Sequence, residues 1–444
     1  MRIHHPRWKA FGACALSSLA LAACGGDDKD AESDRGYTAP AGGDENVKGD
    51  VSIVGVWTAE EQKSFQAVLD GFGEKYPNVK VKYNPAGDNV PTVLSTAVEG
   101  GNPPDLATIA QPGLIAEFEK KGALKSLDFA QAEITENYPE DIAKLGTIDG
   151  KLYSLVFKAA NKSTVWFNVK AFKDAGVEPP ADFDAFLENA KTLQSSGVPA
   201  YSIGGGDGWT LTDLFENVYL RQAGPEKYDQ LTTHEIKWTD QSVKDTLTTM
   251  ADVLGDDSNI AGGKSTALQT DFPTSVTNVF TNPPKAAMVI EGDFVPGVVA
   301  DKTKLKPGTG YDVFPFPEIG SSGSAVVGGG DSLVMFKDTP AGQALVKYLA
   351  SPEAAEIWVK RGGFSSPNKN VSEDAYPDEL TRTTATAIAK AETFRFDMSD
   401  LAPAAFGGTP GQGEWKILQD FLSNPKDIDG TATKLESAAA KAYK

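Results

Sequence analysis

Carboxylates next to strand ends and glycines are the side chains of this sequence best suited to do chemistry. The chain carries 61 acidic residues, and most such residues in proteins are solvated surface charges. Two carboxylates a few ångströms apart could serve as the acid and base of a glycosidase. The candidates by position are Glu60, Glu61, Glu291, Asp293 and Asp331. Spacing along the chain gives no distance in space, so hydrolysis by a carboxylate pair stays open as an alternative.

Other catalytic chemistries have little support. The histidines are His4, His5 and His234, and His234 lies in a polar stretch with no partner motif, which is typical of a solvated loop residue. The run Gly-Gly-Lys-Ser-Thr at 262–266 resembles the end of a phosphate-binding loop, but that motif requires glycine where this chain has Ser258. We therefore expect a surface loop there, no metal site and no cofactor.

Large aromatic residues accompany glycines and acids at several predicted element ends. Trp57 ends the first predicted strand, and Trp209 follows the run Gly-Gly-Gly-Asp-Gly. Phe294 follows Glu-Gly-Asp, and Phe364 follows Arg-Gly-Gly. An aromatic face packs on the C–H face of a sugar ring, while carboxylates and amides bind its hydroxyls. Each ring alone is more often a core residue, but together the four shift the balance modestly toward a sugar site.

Alternating strands and helices must position these side chains. An apolar run at 51–57 predicts a buried strand, and a helix follows from Glu60 to a stop at Pro77, with apolar residues at helical spacing (Phe65, Val68, Leu69, Phe72 and Tyr76). Such alternation continues through 109 and predicts an α/β fold with a mostly parallel sheet covered by helices. Later helices are predicted over 183–194, 211–222, 241–254, 341–350 and 414–422, and later strands over 163–168, 286–291 and 325–336.

The N-terminal segment has the layout of an export signal. Arg2, Arg7 and Lys9 precede a short apolar run at 11–23, which is shorter than the roughly 20 residues that span a bilayer. The run ends in Leu-Ala-Ala-Cys, which resembles the lipobox of bacterial lipoproteins, in which the cysteine is lipidated. We predict a lipoprotein signal peptide over 1–23, lipidation at Cys24 and a flexible tether over 24–48. An ordinary secretory signal with a chance cysteine is the alternative.

Composition agrees with an exported protein. Of the two cysteines, Cys14 and Cys24, cleavage would remove the first and acylation would use the second, so no disulfide is expected. With 444 residues, 40% of them hydrophobic, the chain can form two domains with separate cores. A net charge of −19 argues against nucleic acid as a partner.

Seven segments in a consistent order resemble the extracellular solute-binding proteins of ABC importers, family 1, the group that includes the maltose-binding proteins. The resemblance runs from Val51 to the C-terminus, and no single segment is diagnostic. The segments are VSIVGVWTAEEQKSFQAVLDGFGEKYPNVKVKY, GGNPPDLATIAQPGLIAEFEKKGALKSL, GKLYSLVFKAANKSTVWFNVKAF, KAAMVIEGDFV, GGGDSLVMF, SPEAAEIWVKRGGFSSPN and GQGEWKILQDFL.

The resemblance implies a two-lobed periplasmic-binding-protein-like fold of type II, with a ligand cleft between α/β lobes. Chain crossings are expected near 158–165, 326–331 and 362–368. Lobe 1 would then comprise 49–157 and 328–361, and lobe 2 would comprise 158–327 and 362–444. Hinge closure over the ligand is the expected motion.

The resemblance also implies which residues contact the ligand. From the first lobe these are Trp57, Glu60 and Gln111. From the other lobe they are Lys158, Trp209, Glu291, Asp293 and Asp331. The late aromatics Phe364 and Trp415 either line the cleft or pack the core. The segments at 157–163 and 291–294 look nearer the α-glucoside branch, whereas Gln111-Pro112 departs from the charged residue that maltose-binding proteins often have there, so the sugar stays open.

Our hypothesis from the sequence is a lipid-anchored solute-binding component of an ABC importer. It would capture a carbohydrate, such as an α-glucoside oligosaccharide, and deliver it to permease subunits without catalysing a reaction. We expect a monomer held at the outer face of the cytoplasmic membrane, or in the periplasm. The alternatives are an exported carbohydrate-active hydrolase using a carboxylate pair and a surface interaction module without a small ligand.

Overall fold

The computed structural model describes residues 46–444. The predicted signal peptide, Cys24 and nearly all of the predicted tether lie outside the described residues, so these features stay predictions. Within the described part, no helix combines the length and the apolar character needed to cross a membrane.

The strands of the described part form two main sheets and a short hairpin. In chain order they are β1 Gly49–Gly55, β2 Val79–Pro85, β3 Leu106–Ile109, β4 Thr147–Ile148, β5 Lys151–Leu152, β6 Ser154–Asn161, β7 Thr164–Asn168, β8 Met288–Ile290, β9 Tyr311–Pro315, β10 Ala325–Met335 and β11 Thr393–Phe396.

Helices make up most of the remaining regular structure. In chain order they are α1 Ala59–Lys75, α2 Val90–Glu99, α3 Pro112–Lys120, α4 Gln131–Asn137, α5 Glu140–Leu145, α6 Val169–Ala175, α7 Phe183–Ser195, α8 Trp209–Thr232, α9 Gln241–Leu254, α10 Gly263–Ala267, α11 Phe272–Phe280, α12 Val295–Lys302, α13 Pro340–Leu349, α14 Pro352–Val359, α15 Glu379–Lys390, α16 Met398–Leu401, α17 Ala404–Gly407, α18 Gly413–Ser423 and α19 Ile428–Ala442.

The opening β1–α1 unit has the burial pattern that the spacing of its apolar residues predicts. In β1, Val51, Ile53 and Gly55 are buried while the residues between them are partly exposed, which is the two-residue period of a strand. In α1, Phe65, Val68, Leu69 and Phe72 are buried on one face, as the helical spacing predicted. This unit brings Trp57 and the start of α1 to the carboxyl end of β1.

The first sheet is mixed and has the order β11-β10-β3-β1-β2, with β6 also paired to β10. The pairs β1–β2, β1–β3 and β10–β11 are parallel, whereas β10 runs antiparallel to β3 and to β6. The carboxyl ends of β1 and β3 therefore meet at one edge, which is where ligands bind in open α/β sheets.

The second sheet has the order β8-β7-β9 and is antiparallel throughout. The prediction of a mostly parallel sheet is therefore wrong for this part of the chain. All five residues of β7 are buried, and a strand buried on both faces gives the same continuous apolar pattern whether its neighbours are parallel or antiparallel.

Two separate groups of cores define the two lobes. The larger core of the first lobe contains residues from 51–157 and from 333–364, among them Ile53, Phe65 and Trp358. The larger core of the second lobe contains residues from 165–327 and from 398–439, among them Phe215 and Trp238. The exact residue limits proposed for each lobe from the sequence stay a prediction.

Strand β10 links the lobes. Its first residues, Ala325 and Val327, lie in the core of the second lobe, and Leu333 and Met335 lie in the core of the first. The chain also crosses from one lobe to the other where β6 of the first sheet leads into β7 of the second. Residues at these passages, among them Lys158, Lys162 and Asp331, consequently sit between the lobes.

Candidate functional site

A cavity of about 330 Å³ opens where the two lobes face each other; we call it the Trp209 cavity. Its volume is at the lower end of the range of about 300–1,000 Å³ that is common for ligand sites. Segments after β1 and β3, the passage residues of β6 and β10, and the first residues of α8 and α11 form its wall. Both lobes therefore contribute to one enclosed surface.

Trp57 and Asp331 form one side of the Trp209 cavity. The indole Nε1 of Trp57 donates a hydrogen bond to Asp331 Oδ2 at 2.6 Å. The ring is 1% exposed and lies 4.6 Å from Phe65 and 4.9 Å from Trp358 between ring centroids. Asp331 sits where the register of β10 against β6 shifts, and such a bulge re-aims a side chain.

Lys158 lies opposite Asp331 in the β6–β10 register and forms an ion pair with Glu61 at the start of α1. Its Nζ lies 5.3 Å from the Phe294 ring centre and 5.6 Å from that of Trp358. Burial lowers the pKa of Lys158, but Glu61 and Asp331 outweigh it and hold the pKa above its usual value. Lys158 is therefore a charged, already paired donor.

Lys162 is paired even more fully. Its Nζ lies 3.1 Å from Asp213 Oδ1 and 3.5 Å from Asp400 Oδ2, and it also bonds Asp397. Burial alone would lower the pKa of Lys162, yet these carboxylates raise it well above the usual value. The same network lowers the pKa of Asp397 to about 2, because Lys162 outweighs the effect of burial. Of these three carboxylates, Asp400 lies in the cavity wall together with Lys162.

Three aromatic rings from the second lobe cover another side. Trp209, at the start of α8, lies 5.5 Å from Phe272 and 6.0 Å from Phe294, and Phe272 lies 5.1 Å from Phe294. The backbone at Gly208 has φ +86°, and a Cβ there would lie 2.8 Å from Trp415 Cβ. Only glycine fits this approach, which brings the residue before Trp209 against Trp415.

Several polar groups of the cavity wall have no partner of their own. The indole Nε1 of Trp415 is buried without a hydrogen bond in the described part of the chain. Gln111, which is 7% exposed, donates no side-chain hydrogen bond to any residue from 46 to 444. Buried polar groups are normally hydrogen-bonded, so these two are suited to a bound polar molecule.

Asp88 and Asp207 add carboxylates from opposite lobes. Burial, and then the nearby Asp207, raises the pKa of Asp88 to about 7. Burial likewise raises the pKa of Asp207, although its Oδ2 accepts a 2.6 Å hydrogen bond from the backbone N–H of Phe272. The cavity thus offers more acceptors than unpaired cations.

The structure brings together six of the ten residues that the resemblance implied. Trp57, Gln111, Lys158, Trp209, Asp331 and Trp415 all lie in the wall of the Trp209 cavity. Trp415 thus lines the cavity rather than only packing the core. The part of these residues in ligand binding stays a prediction.

The other four lie elsewhere. Glu60 is in the wall of a neighbouring cavity and forms an ion pair with Lys63. Phe364 packs in the core of the first lobe, 5.0 Å from Trp358 and 5.3 Å from Phe157. Glu291 and Asp293 are 1% and 4% exposed and are absent from the walls of both cavities.

Burial decides the chemistry of Glu291 and Asp293. Burial raises the pKa of Glu291 well above its usual value, and its Oε2 has no partner in the described residues. Burial raises the pKa of Asp293 to about 6, against the lowering effect of the hydrogen bond that its carboxylate accepts from Ser365. The backbone N–H of Asp293 donates to the carbonyl of Asn161 at 3.0 Å. These side chains sit behind the cavity wall.

Sequence reasoning missed several wall residues, for different reasons. Asp207 lies within the glycine run that singled out Trp209, and Phe294 within the aromatic set, so both had a local signal. Asp88, Asp271 and Asp400 had none, because tertiary folding alone brings them to the cavity.

Comparison with known proteins agrees with this architecture. Residues 57–356 match the family model described as bacterial extracellular solute-binding protein. The osmoprotective compounds-binding protein GgtB of Synechocystis sp. is 35% identical over 401 residues, covering 88% of this chain and 91% of that protein. The alpha-glucosides-binding periplasmic protein AglE of Rhizobium meliloti is 31% identical over 397 residues, covering 86% and 85%.

Solved structures confirm the predicted fold. The bacterial solute receptor AcbH superposes with a TM-score of 0.78 at 19% identity, covering 90% of this chain and 100% of that one. A chitin oligosaccharide binding protein gives a TM-score of 0.76 at 20% identity, with 89% and 99% covered. The two-lobed type II α/β fold is thus shown. By its family model and these relatives, the chain belongs to the bacterial extracellular solute-binding proteins.

Proposed function

We propose that this protein captures a carbohydrate in the Trp209 cavity and delivers it to the permease subunits of an ABC importer. The observation that carries the proposal is the composition of the cavity wall. The rings of Trp209, Phe272 and Phe294 offer apolar faces, and Asp88, Asp207 and Asp331 offer acceptors. Sugars present this combination of C–H faces and hydroxyl donors.

The class of sugar is proposed from the relatives. AglE is named for α-glucosides and GgtB for osmoprotective compounds, and each aligns over most of this chain. We assign an α-glucoside oligosaccharide as the ligand. Capture needs no covalent chemistry, since closure of the lobes follows from better ligand contacts in the closed state.

Isothermal titration calorimetry of the full-length protein tests the proposal. Matched pairs of α- and β-linked glucosides, such as maltose and cellobiose, should bind with clear preference for the α-linked member. Trp209→Ala should weaken the affinity by about tenfold or more, because a stacked ring is lost, whereas Trp209→Phe should retain much of it. No heat with any carbohydrate, or release of hydrolysis products from the glucoside, would contradict the proposal.

We also propose that Cys24 carries a lipid and holds the protein, as a monomer, at the outer face of the cytoplasmic membrane. The apolar run and the Leu-Ala-Ala-Cys sequence before the acidic tether support this. In cells, Cys24→Ser should move the protein from the detergent phase to the aqueous phase on phase partitioning, while Cys14→Ser should not. Equal partitioning of wild type and Cys24→Ser would refute the anchor, and a mass above one chain in light scattering would refute the monomer.

A further inference from the structure

A second cavity shares a wall with the Trp209 cavity. It has a volume of about 430 Å³ and is lined by Ser64, Trp358, Arg361 and part of α12, among others; we call it the Arg361 cavity. Five residues belong to both walls, namely Thr58, Glu61, Phe272, Pro273 and Phe294. The two spaces are therefore neighbours, and the second is the larger.

The residues shared by the two walls form the partition between the cavities. Glu61, in the first turn of α1, forms an ion pair with Lys158, whose Nζ lies 5.3 Å from the centre of the Phe294 ring. The side chain of Glu61 is 35% exposed, whereas that of Lys158 is 4% exposed. A partly exposed carboxylate can change rotamer, so Glu61 can move within the partition without a change in the backbone.

Among the described residues, the Arg361 cavity has a cation whose hydrogen-bond donors are mostly unpaired, whereas the two lysines of the Trp209 cavity are paired. Its carboxylates Glu60 and Asp301 are each close to Lys63, and Asp301 also pairs with Lys302 at 2.5 Å. Arg361 bonds Ser64 Oγ through Nε at 3.0 Å, while its two terminal nitrogens make no hydrogen bond or ion pair with residues 46–444. A guanidinium has five N–H donors in a planar fork, so most of the donors of Arg361 are available to a ligand.

Residues from both lobes enclose this second space. Lys63 of α1 lies 3.6 Å from Asp301 of α12 across its rim. At the other side, a Cβ on Gly363 would lie 3.3 Å from the backbone of Gly297. A molecule in the Arg361 cavity would thus contact the same two lobes that enclose the Trp209 cavity.

We infer that the ligand spans both cavities, with one end against Trp209 and further sugar units beside Arg361. This rests on the proposed function, and it adds that the substrate is an oligosaccharide longer than the Trp209 cavity can hold. Acceptor carboxylates would bind hydroxyl donors at one end, and the guanidinium would bind hydroxyl and ring oxygens at the other. The Glu61 carboxylate lies where the chain of sugars passes between the two.

Affinity as a function of ligand length tests the inference. The probes are malto-, chito- and xylo-oligosaccharides of about one to five units, titrated calorimetrically into the full-length protein. For the series that binds, we expect affinity to rise by about tenfold or more once the oligosaccharide is long enough to pass Glu61. Arg361→Ala should remove this gain and leave the affinity for the shortest binding sugar within about twofold.

A second variant and two controls separate the outcomes. Ala300→Trp adds a large side chain at an exposed position of α12 in the Arg361 cavity wall, and it should abolish the gain in the same way. Ala440→Trp, at an exposed position of α19, and Arg382→Ala, whose side chain pairs with Glu379, should leave the gain intact. If short sugars bind but length brings no gain, or if the gain survives Arg361→Ala and Ala300→Trp, the inference is wrong. If no sugar of any length binds, the proposed function itself fails.

Discussion

Asp88 is the residue of the Trp209 cavity whose charge is least compensated. Within residues 46–444 it makes no hydrogen bond or ion pair, while burial and Asp207 raise its pKa to about 7. The lysines of the cavity are committed elsewhere, Lys158 to Glu61 and Lys162 to three carboxylates. Ionisation of Asp88 therefore opposes the folded state.

Protein stability should depend on pH through Asp88. The pKa of Asp88 is about 7 in the folded protein and about 3.9 in an unfolded chain. Its stabilising contribution is complete below about pH 4 and is lost as the pH rises through about 7. Asp88→Asn should therefore raise the melting temperature relative to wild type more at about pH 8 than at about pH 5. A shift for Asp88→Asn that is equal at both pH values would contradict the assignment.

At the scale of elements, the contact between α12 and the segment after α14 is unusually close. Gly363 has φ +68°, and a Cβ there would lie 3.3 Å from Gly297 Cα and N and from Phe294 O. Both the positive φ and the approach to α12 favour glycine at this position. Because Phe294 and Gly297 belong to the walls of the cavities, this backbone contact helps to position them.

Gly363→Ala should destabilise the protein for two reasons, whereas a control glycine isolates one of them. Gly411 has φ +73°, and a Cβ there would contact nothing within 4 Å, so Gly411→Ala adds only backbone strain, of about 1 kcal/mol. Gly363→Ala adds the displacement of α12 and should cost about 1–3 kcal/mol more. Urea denaturation of the two variants measures their free energies of unfolding. Equal losses of stability in Gly363→Ala and Gly411→Ala would show that α12 moves aside at no energetic cost.

Most elements near the site follow from local patterns, and the departures have physical causes. The predicted apolar face of α1 and the predicted helix over 241–254 match the structure. The predicted helix over 211–222 is part of α8, which continues to Thr232 across a break at Gly224. Pro225 lacks an N–H and disfavours helical backbone at Gly224, and the sequence alone does not show that helix resumes beyond it.

The cavity was predictable to the extent that its residues carry local signals. Trp57 follows a buried strand and Trp209 follows a glycine run, and both lie in the wall. Glu291 and Asp293 have the same kind of signal, yet they are buried behind the wall. Asp400 reaches the cavity through contacts between residues distant in sequence, such as its ion pair with Lys162, and no local pattern reports such contacts.

At the scale of the whole molecule, the two lobes have separate cores and are joined by polar links near the cavities. The ion pair between Lys63 of α1 and Asp301 of α12 is one of them, at 3.6 Å, with side chains 62% and 19% exposed. Exposed ion pairs contribute about 0–1 kcal/mol. If the lobes close over the ligand as proposed, this link would adjust the balance between the open and closed forms without fixing it.

Lys63→Ala should weaken ligand affinity by at most about fivefold while changing the melting temperature little. Lys170→Ala removes a comparable exposed pair, Lys170–Asp174, that lies within α6 of one lobe, and it should leave affinity unchanged. Calorimetric titrations of both variants at low and high salt provide the measurement. An equal loss of affinity in the two variants would show that the Lys63–Asp301 pair does not affect affinity by linking the two lobes.

The placement of the tryptophans should allow ligand binding to be followed by intrinsic tryptophan fluorescence. Of the six tryptophans in the described residues, Trp57, Trp209 and Trp415 lie in the wall of the Trp209 cavity, whereas Trp166 and Trp238 are fully buried in the second lobe. A bound sugar changes the polarity around the first three and leaves the other two as a constant background. The tryptophan fluorescence of the unlabelled protein should therefore change in wavelength and intensity as the cavity fills. Occupancy of the Trp209 cavity can then be followed in real time without an attached dye.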